Sequence, residues 1–317
     1  MLTTTSSARE KGAPGKDIVV VTHISPGRVQ RPDRAGVRGL VRRHPLVTFF
    51  VLANLLSWAA WTPYVLSQNG LGVLPFGFPA ILGTTQFLGV LPGAYLGPVL
   101  SAFLVTAVVD GRTGVRAWVG RLLRWRVSWR WYLSLLVGVP AVLVVTGLAL
   151  SDGQVRAPGV AVLVAYLPAL VLQLLTTGLA EEPGWRDFAQ PRLQHRFSPV
   201  TATLILGPLW GVWHLPLFLT EWGGWPDVDW TRPVEFIATC VAFSFVMTWV
   251  FNRTGESLPL AMLCHTGINN FFSVAFTEVF PTLDTAADTA HVFLLASTGA
   301  AIVLLIATRG RLGRVNP

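Results

Sequence analysis

The groups best suited to chemistry in this chain are a few polar side chains inside otherwise apolar stretches. They cluster in three short segments, which are Glu181–Arg186, Trp210–His214 and His265–Asn269. Because a charge within a membrane is costly, ionisable side chains at such depth indicate a functional site. A carboxylate, two imidazoles and a carboxamide suit amide hydrolysis, which needs a base for water and donors for the developing oxyanion.

The first cluster predicts two side-chain directions. Glu182 and Arg186 are four residues apart, so a continuous helix brings them onto one face, where they can pair. Glu181 then points about 100° away and stays free of that arginine. The alternative is that Pro183 breaks the helix, which would leave backbone groups lining a cavity.

The composition indicates that membrane helices hold these clusters. Of the 317 residues, 52% are hydrophobic and 13% are charged, about half the charged fraction of a soluble domain. The net charge of +8 comes almost wholly from arginine, because Lys11 and Lys16 are the only lysines. The arginines lie in short segments between apolar runs rather than in a soluble basic domain, which argues against nucleic-acid binding.

Apolar segments predict an all-α, polytopic membrane protein with about eight transmembrane helices. Each segment can cross a hydrocarbon core of about 30 Å at about 1.5 Å per residue. Backbone groups in lipid must pair internally, which favours helices. The predicted spans are 45–67, 86–109, 131–150, 159–181, 199–220, 233–251, 257–276 and 290–308.

The loops between these spans alternate in charge, and this alternation predicts the orientation. Arginines concentrate in one set, around 42–43, 112–130, 186–196, 253 and 309–314. The opposite set is acidic, with Arg156 and Arg232 as its only arginines, around 68–85, 151–158, 221–232 and 277–289. The positive-inside rule therefore places the protein in the cell membrane with both termini in the cytoplasm.

The remaining segments complete the predicted organisation. Residues 1–43, rich in Gly, Pro, Ser and Arg, predict a disordered basic cytoplasmic tail, and 310–317 a second cytoplasmic tail. Between them, 44–309 form a transmembrane peptidase-like domain. Residues 112–130 interleave Arg with Trp, Val and Leu, which is typical of an amphipathic helix on the cytoplasmic leaflet.

Small residues in the second predicted span indicate close helix packing. Gly89, Gly93 and Gly97 recur every four residues, so they share one helix face that a neighbouring backbone can approach.

Residue counts from the predicted cytoplasmic turns estimate the depth of the polar clusters. Glu181 lies about as far before Ser198 as His214 lies after it, so both are expected about 25 Å from that turn. His265 lies about 15 Å beyond the next such turn, with Asn269 on the same helix face. If the Ser198 turn projects from the membrane, the titratable groups meet in one cytoplasm-facing cavity.

The three motifs EEPGWR, WGVWH and HTGIN, in this order and in these spans, resemble the EExxxR, FxxxH and HxxxN signatures of the CPBP family of intramembrane proteases. That family includes CAAX prenyl endopeptidases and bacteriocin-processing and self-immunity relatives. The resemblance covers about residues 160–276. It departs at Trp210, where the family usually has Phe, and this exchange is expected to alter the cavity wall rather than abolish chemistry.

The resemblance implies hydrolysis of a peptide bond near the cytoplasmic leaflet, and it implies a role for each motif residue. Glu181 would be the general base, with His214 sharing the activated water. His265 and Asn269 would stabilise the oxyanion. A supporting group would consist of Glu182, Arg186 and Trp210.

Two points stay open at this stage: the cofactor and the activity itself. Glu181, His214 and His265 could form a zinc triad, but the position four after His265 is Asn269, a poor zinc ligand. A metal-free glutamate mechanism is therefore favoured, with zinc as the alternative. The partners are membrane lipids and a peptide or protein substrate, with prenylated peptides as one option. The rival function is a catalytically silent scaffold or immunity protein that binds a hydrophobic or lipidated peptide.

Overall fold

The protein is built from helices throughout the part of the chain that the structure describes. This computed structural model describes residues 36–284 and 287–314. Within those ranges, the sole β interaction is an isolated bridge between Ile81 and Thr84. The all-α prediction is therefore confirmed.

Ten helices are named α1 to α10 in chain order. They are α1 (Val37–Arg43), α2 (Pro45–Leu66), α3 (Gln86–Val109), α4 (Gly111–Leu122), α5 (Trp129–Leu150), α6 (Val160–Gln194), α7 (Pro199–Leu219), α8 (Thr231–Arg253), α9 (258–279) and α10 (Ala287–Thr308). Several contain π-helical turns, and α7 ends in a 3-10 segment.

Seven of these helices, namely α2, α3, α5, α6, α7, α8 and α10, are long and apolar enough to cross a membrane. Their outer faces are apolar and exposed. In α6, only 11% of the most apolar 18-residue stretch is buried inside the protein, and Val164 is 69% exposed. An apolar surface of this extent requires lipid around it. The chain is therefore a polytopic membrane protein.

The predicted seventh span, 257–276, is helical but is not among those seven. It forms α9, which begins at Leu258 and contains a π-helical turn over Phe271–Ala275. The polar residues His265, Asn269 and Asn270 interrupt its apolar run. His265 and Asn269 among these residues belong to the candidate site.

The fourth predicted span was expected to end at residue 181, and this boundary is wrong. Helix α6 continues to Gln194, and a π-helical turn over Pro183–Ala189 carries it past the proline. Wider turns of this kind accommodate a residue that lacks a backbone N–H, and they are frequent at functional sites. Glu181 therefore lies well inside a helix rather than at its end.

The segment predicted as one amphipathic helix over 112–130 is shorter than expected. Helix α4 ends at Leu122, where tighter backbone bonds from the N–H groups of Leu123 and Arg124 close its last turn. The chain is irregular up to Ser128, and α5 begins at Trp129. Within α4, the indole of Trp118 donates to the Pro183 carbonyl at 3.0 Å, which fixes the helix against α6.

The predicted terminal tails lie partly outside the described residues, which exclude 1–35 and 315–317. Val37–Arg43, predicted as disordered tail, forms the helix α1. At the other end, Leu312 is buried, and its carbonyl accepts a hydrogen bond from Asn252 Nδ2 at 2.9 Å. This hydrogen bond holds the start of the 310–317 segment against α8.

The predicted glycine face is confirmed as a close contact between α3 and α2. A Cβ atom on Gly93 would lie 2.2 Å from the indole nitrogen of Trp61, and one on Gly97 would lie 1.9 Å from Ser57 Oγ. No side chain fits at either position. This contact also places Trp61 against Trp213 of α7, with ring centroids 4.8 Å apart. These aromatic rings pack beside the candidate site.

Candidate active site

The four residues predicted to carry catalysis line one cavity of about 650 Å³. Glu181 comes from α6, His214 from α7, and His265 and Asn269 from α9. The first three are almost fully buried, with 7%, 6% and 5% exposure respectively, whereas Asn269 is half-buried. The structure thus brings together side chains that are far apart in the sequence.

Trp210 connects these groups. Its indole Nε1 donates a hydrogen bond to Glu181 Oε2 at 2.8 Å. Its ring also packs edge-to-face against His265, with centroids 5.2 Å apart, and its centroid lies 6.2 Å from that of His214. The sequence predicted only a wall position for this residue, and its hydrogen bond to the carboxylate was not foreseen.

Glu182 and Arg186 form the predicted pair on one face of α6. Arg186 Nε donates to Glu182 Oε2 at 3.1 Å, and both side chains are fully buried. The other carboxylate oxygen of Glu182 accepts a hydrogen bond from His265 Nδ1 at 2.7 Å. The guanidinium also lies 4.9 Å from the centroid of the Trp210 ring. Glu182 therefore orients His265, while the adjacent Glu181 faces the cavity.

Ser244 of α8 completes this ion pair. Its hydroxyl oxygen accepts from the two terminal nitrogens of Arg186 at 3.5 and 3.4 Å, and the side chain is fully buried. The sequence does not single out this residue, because one serine in an apolar span carries no signal that distinguishes it from helix-packing serines.

His214 is held by its own helix and by aromatic rings. Its Nδ1 donates to the carbonyl of Trp210, one turn earlier, at 3.0 Å. The rings of Trp213 and Phe236 lie edge-on to it, with centroids 4.5 and 4.8 Å away, and Trp222 stacks on it at 5.7 Å. With Nδ1 engaged, Nε2 is the ring nitrogen left for the cavity, and in neutral imidazole it is an acceptor.

The hydrogen bonds of Glu181 and His265 bear on the zinc alternative. Among the described residues, no group of three His, Cys, Asp or Glu side chains is arranged to hold a metal ion. One oxygen of Glu181 already accepts the Trp210 indole, and His265 Nδ1 is directed to Glu182. These contacts use one atom of each side chain and leave the second Glu181 oxygen and His265 Nε2 for the cavity.

The cavity lies towards one end of the helix bundle. Its lining reaches Leu82 and Thr84 in the loop before α3, Trp222 in the loop after α7, and Thr289 at the start of α10. These positions belong to the acidic loop set, and no arginine contributes to the lining. The positive-inside prediction would place this end of the cavity away from the cytoplasm.

Comparison with known proteins identifies the region that holds this site. Residues 163–271 match the family described as type II CAAX prenyl endopeptidase Rce1-like, and this range contains all three polar clusters. CAAX prenyl protease 2 of Methanococcus maripaludis is 30% identical over 144 residues, which is 44% of this chain and 50% of that protein. The chain thus spans about half the length of this curated relative.

Proposed function

We propose that the chain is a CPBP-type intramembrane endopeptidase with Glu181 as its base, because residues 163–271 match the family described as type II CAAX prenyl endopeptidase Rce1-like. The observation that carries this proposal is the single cavity shared by the Glu181 carboxylate, the imidazoles of His214 and His265, and the Asn269 carboxamide. A packing histidine or an interfacial helix end would not require this convergence.

In the proposed reaction, Glu181 takes a proton from a water molecule in the cavity. The water oxygen attacks the carbonyl carbon of the scissile amide, and the electron pair of the C=O bond moves onto oxygen. When the tetrahedral intermediate collapses, the C–N bond breaks and the protonated carboxyl of Glu181 returns the proton to the leaving amine. The Trp210 N–H holds one carboxylate oxygen, which leaves the other for the water.

The two histidines take different roles because their Nδ1 atoms have different partners. His214 donates from Nδ1 to a backbone carbonyl, so its neutral Nε2 accepts a hydrogen bond from the water. His265 can donate from Nε2 to the oxyanion as imidazolium, and the Glu182 carboxylate at 2.7 Å supplies the counter-charge. The Asn269 amide adds a neutral donor. Preorganised donors of this kind typically contribute about 10²–10³ in rate each.

The proposed substrate is a hydrophobic or lipid-anchored peptide. The cavity wall combines the polar groups with apolar rings, including Trp61, Phe272 and Phe293, which suit an apolar anchor beside a scissile bond. The relative's name, CAAX prenyl protease 2, is consistent with such an anchor. The arginine distribution assigns the acidic loop end to the extracytoplasmic face, so we place cleavage at that face rather than at the cytoplasmic leaflet.

The decisive experiment compares the parent with Glu181→Gln in detergent, using a panel of fluorogenic peptides with and without a lipid anchor. The variant is expected to insert and unfold like the parent while losing about a hundredfold to ten-thousandfold in cleavage rate. Equal cleavage by the variant would remove Glu181 as base. If neither protein cleaves any peptide yet both bind lipidated peptides, the scaffold function replaces the enzyme.

The zinc alternative has its own measurement. Elemental analysis of the purified protein, followed by chelator treatment during the cleavage assay, separates the two mechanisms. The proposal expects activity that chelation leaves unchanged. Stoichiometric zinc together with chelator-sensitive cleavage would favour a metalloprotease.

A further inference from the structure

A second large cavity, of about 770 Å³, lies on the other side of α9 from the site. It is a groove between α5, α8 and α10, and we call it the α5–α10 groove. Its membrane-facing border includes Val142, Leu295 and Val303, which are 47%, 51% and 64% exposed. The groove is therefore open to lipid along the bundle surface.

Missing side chains keep this groove open. Gly138 of α5 and Gly299 of α10 both line it, and a Cβ atom at either position would meet nothing within 4 Å. Gly93 and Gly97, by contrast, face α2 so closely that a side chain at either position would clash with it. Along α5 the lining runs from Arg130 to Thr146, which is about 24 Å at the helical rise. That length accommodates an acyl chain lying along the bundle.

The arginine-rich end of the groove carries positive charge without protein partners. Arg130 and Arg253 both line it, and neither guanidinium makes an ion pair or side-chain hydrogen bond among the described residues. Trp131 and Trp249 lie beside them, with ring centroids 5.0 Å apart, in the position that aromatic residues favour at a membrane interface. An apolar slot with two unpaired cations at its mouth is complementary to an anionic amphiphile.

From these features we infer that the α5–α10 groove binds an anionic phospholipid, with its acyl chain along the groove and its phosphate between Arg130 and Arg253. This inference does not depend on the proposed peptidase activity. The apolar length distinguishes a lipid from free phosphate, which would use only the arginine end.

The groove also touches the helix that carries the candidate site. Cys264 and Ile268 border it, each immediately before His265 and Asn269 in the chain, so α9 presents one face to the lipid and another to the active-site cavity. Phe243 borders the groove as well, and its ring centroid lies 6.0 Å from that of His265. A bound lipid would therefore support the back of the site.

Native mass spectrometry of the full chain tests the inference, with dioleoyl phosphatidylglycerol and dioleoyl phosphatidylcholine as competing probes. The parent is expected to retain one phosphatidylglycerol in preference to phosphatidylcholine. Arg130→Gln/Arg253→Gln should weaken phosphatidylglycerol binding on the order of tenfold and leave phosphatidylcholine binding unchanged. Arg196→Gln, on the same side of the protein but outside the groove, is the charge-matched control.

Filling the groove gives an independent arm. Gly299→Leu should reduce retention of both lipids, and Gly138→Leu is a second filling variant if the first unfolds. Glu181→Gln should bind lipid like the parent, which separates this inference from the proposed catalysis. Equal retention of the two lipids by the parent, no loss in the double arginine variant, or full retention by a folded filling variant would each overturn the inference.

Discussion

The indole N–H of Trp210 lies 2.8 Å from Oε2 of Glu181 and donates a hydrogen bond to it. The family signature usually has Phe at this position, which offers a ring but no donor. In this chain, the proposed base is therefore positioned by a contact that the usual motif residue cannot make. We therefore propose Trp210 as a positioning residue for Glu181.

Replacing Trp210 by Phe keeps an aromatic wall and removes this hydrogen bond. A buried carboxylate that loses a donor forfeits about 1–3 kcal/mol, so kcat for peptide cleavage should fall about fivefold to about a hundredfold with little change in KM. The control is Trp118→Phe, which also loses one buried indole hydrogen bond but lies outside the cavity. Equal losses of kcat in both variants would mean that the Trp210 hydrogen bond contributes only to the stability of the fold and has no specific effect on Glu181.

The Glu182–Arg186 pair predicts a large effect on stability. Both side chains are fully buried, so Glu182→Gln leaves an uncompensated guanidinium and should cost about 3–5 kcal/mol of unfolding free energy. The double variant Glu182→Gln/Arg186→Met removes both charges and should recover part of that loss. Denaturant titration in detergent measures the free energy of unfolding of the parent, Glu182→Gln and the double variant. A double variant less stable than Glu182→Gln would contradict a simple charge pair.

The contact between α2 and α3 predicts which glycines tolerate a methyl group. Gly97→Ala would place Cβ at 1.9 Å from Ser57 Oγ and 2.6 Å from the Ala53 carbonyl oxygen, so overpacking should lower stability by about 1–3 kcal/mol. Gly120→Ala in α4 meets nothing within 4 Å and should be neutral or stabilising. Thermal unfolding of Gly97→Ala and Gly120→Ala measures both effects. A Gly97 variant as stable as the parent would show that α3 can move away from α2.

The side of the membrane on which the cavity opens can be mapped with single cysteines. The native Cys240 and Cys264 are buried, whereas Leu82 at the cavity end and Leu123 at the arginine-rich end are 77% and 67% exposed. In intact cells, a membrane-impermeant maleimide should label Leu82→Cys, and Leu123→Cys should react only after lysis. The reverse pattern would return the cavity to the cytoplasmic face and invert the predicted topology of both termini.

Convergence of the polar clusters could be predicted from sequence because it depends on spacing and span order. Glu182 and Arg186 pair as a four-residue separation requires, and residue counts brought Glu181, His214 and His265 to compatible depths. The end of the bundle at which the cavity lies did not follow from the count alone, which placed Glu181 about 25 Å from the arginine-rich turn in a core of about 30 Å. That depth already lies nearer the opposite face.

Other features depend on tertiary contacts that no local pattern encodes. The passage of α6 through Pro183 uses a π-helical turn, whereas propensity alone predicts a break. The hydrogen bond of the Trp210 indole depends on how α7 packs on α6. The hydrogen bond of Ser244 depends on how α8 places it next to Arg186. The last two are relations between helices, so motif spacing within one helix could not reveal them.

The neighbouring glutamates of α6 face different surroundings, and this places a constraint on the length of the segment before them. Inserting or deleting one residue between Gly178 and Glu181 would rotate everything that follows by about 100°. The Glu181 carboxylate, which is proposed to activate water, would then turn towards the Arg186 guanidinium or away from both the guanidinium and the cavity. This stretch can therefore accept changes of residue type more readily than changes of residue number, and a length variant here should lose its chemistry even when it still inserts in the membrane.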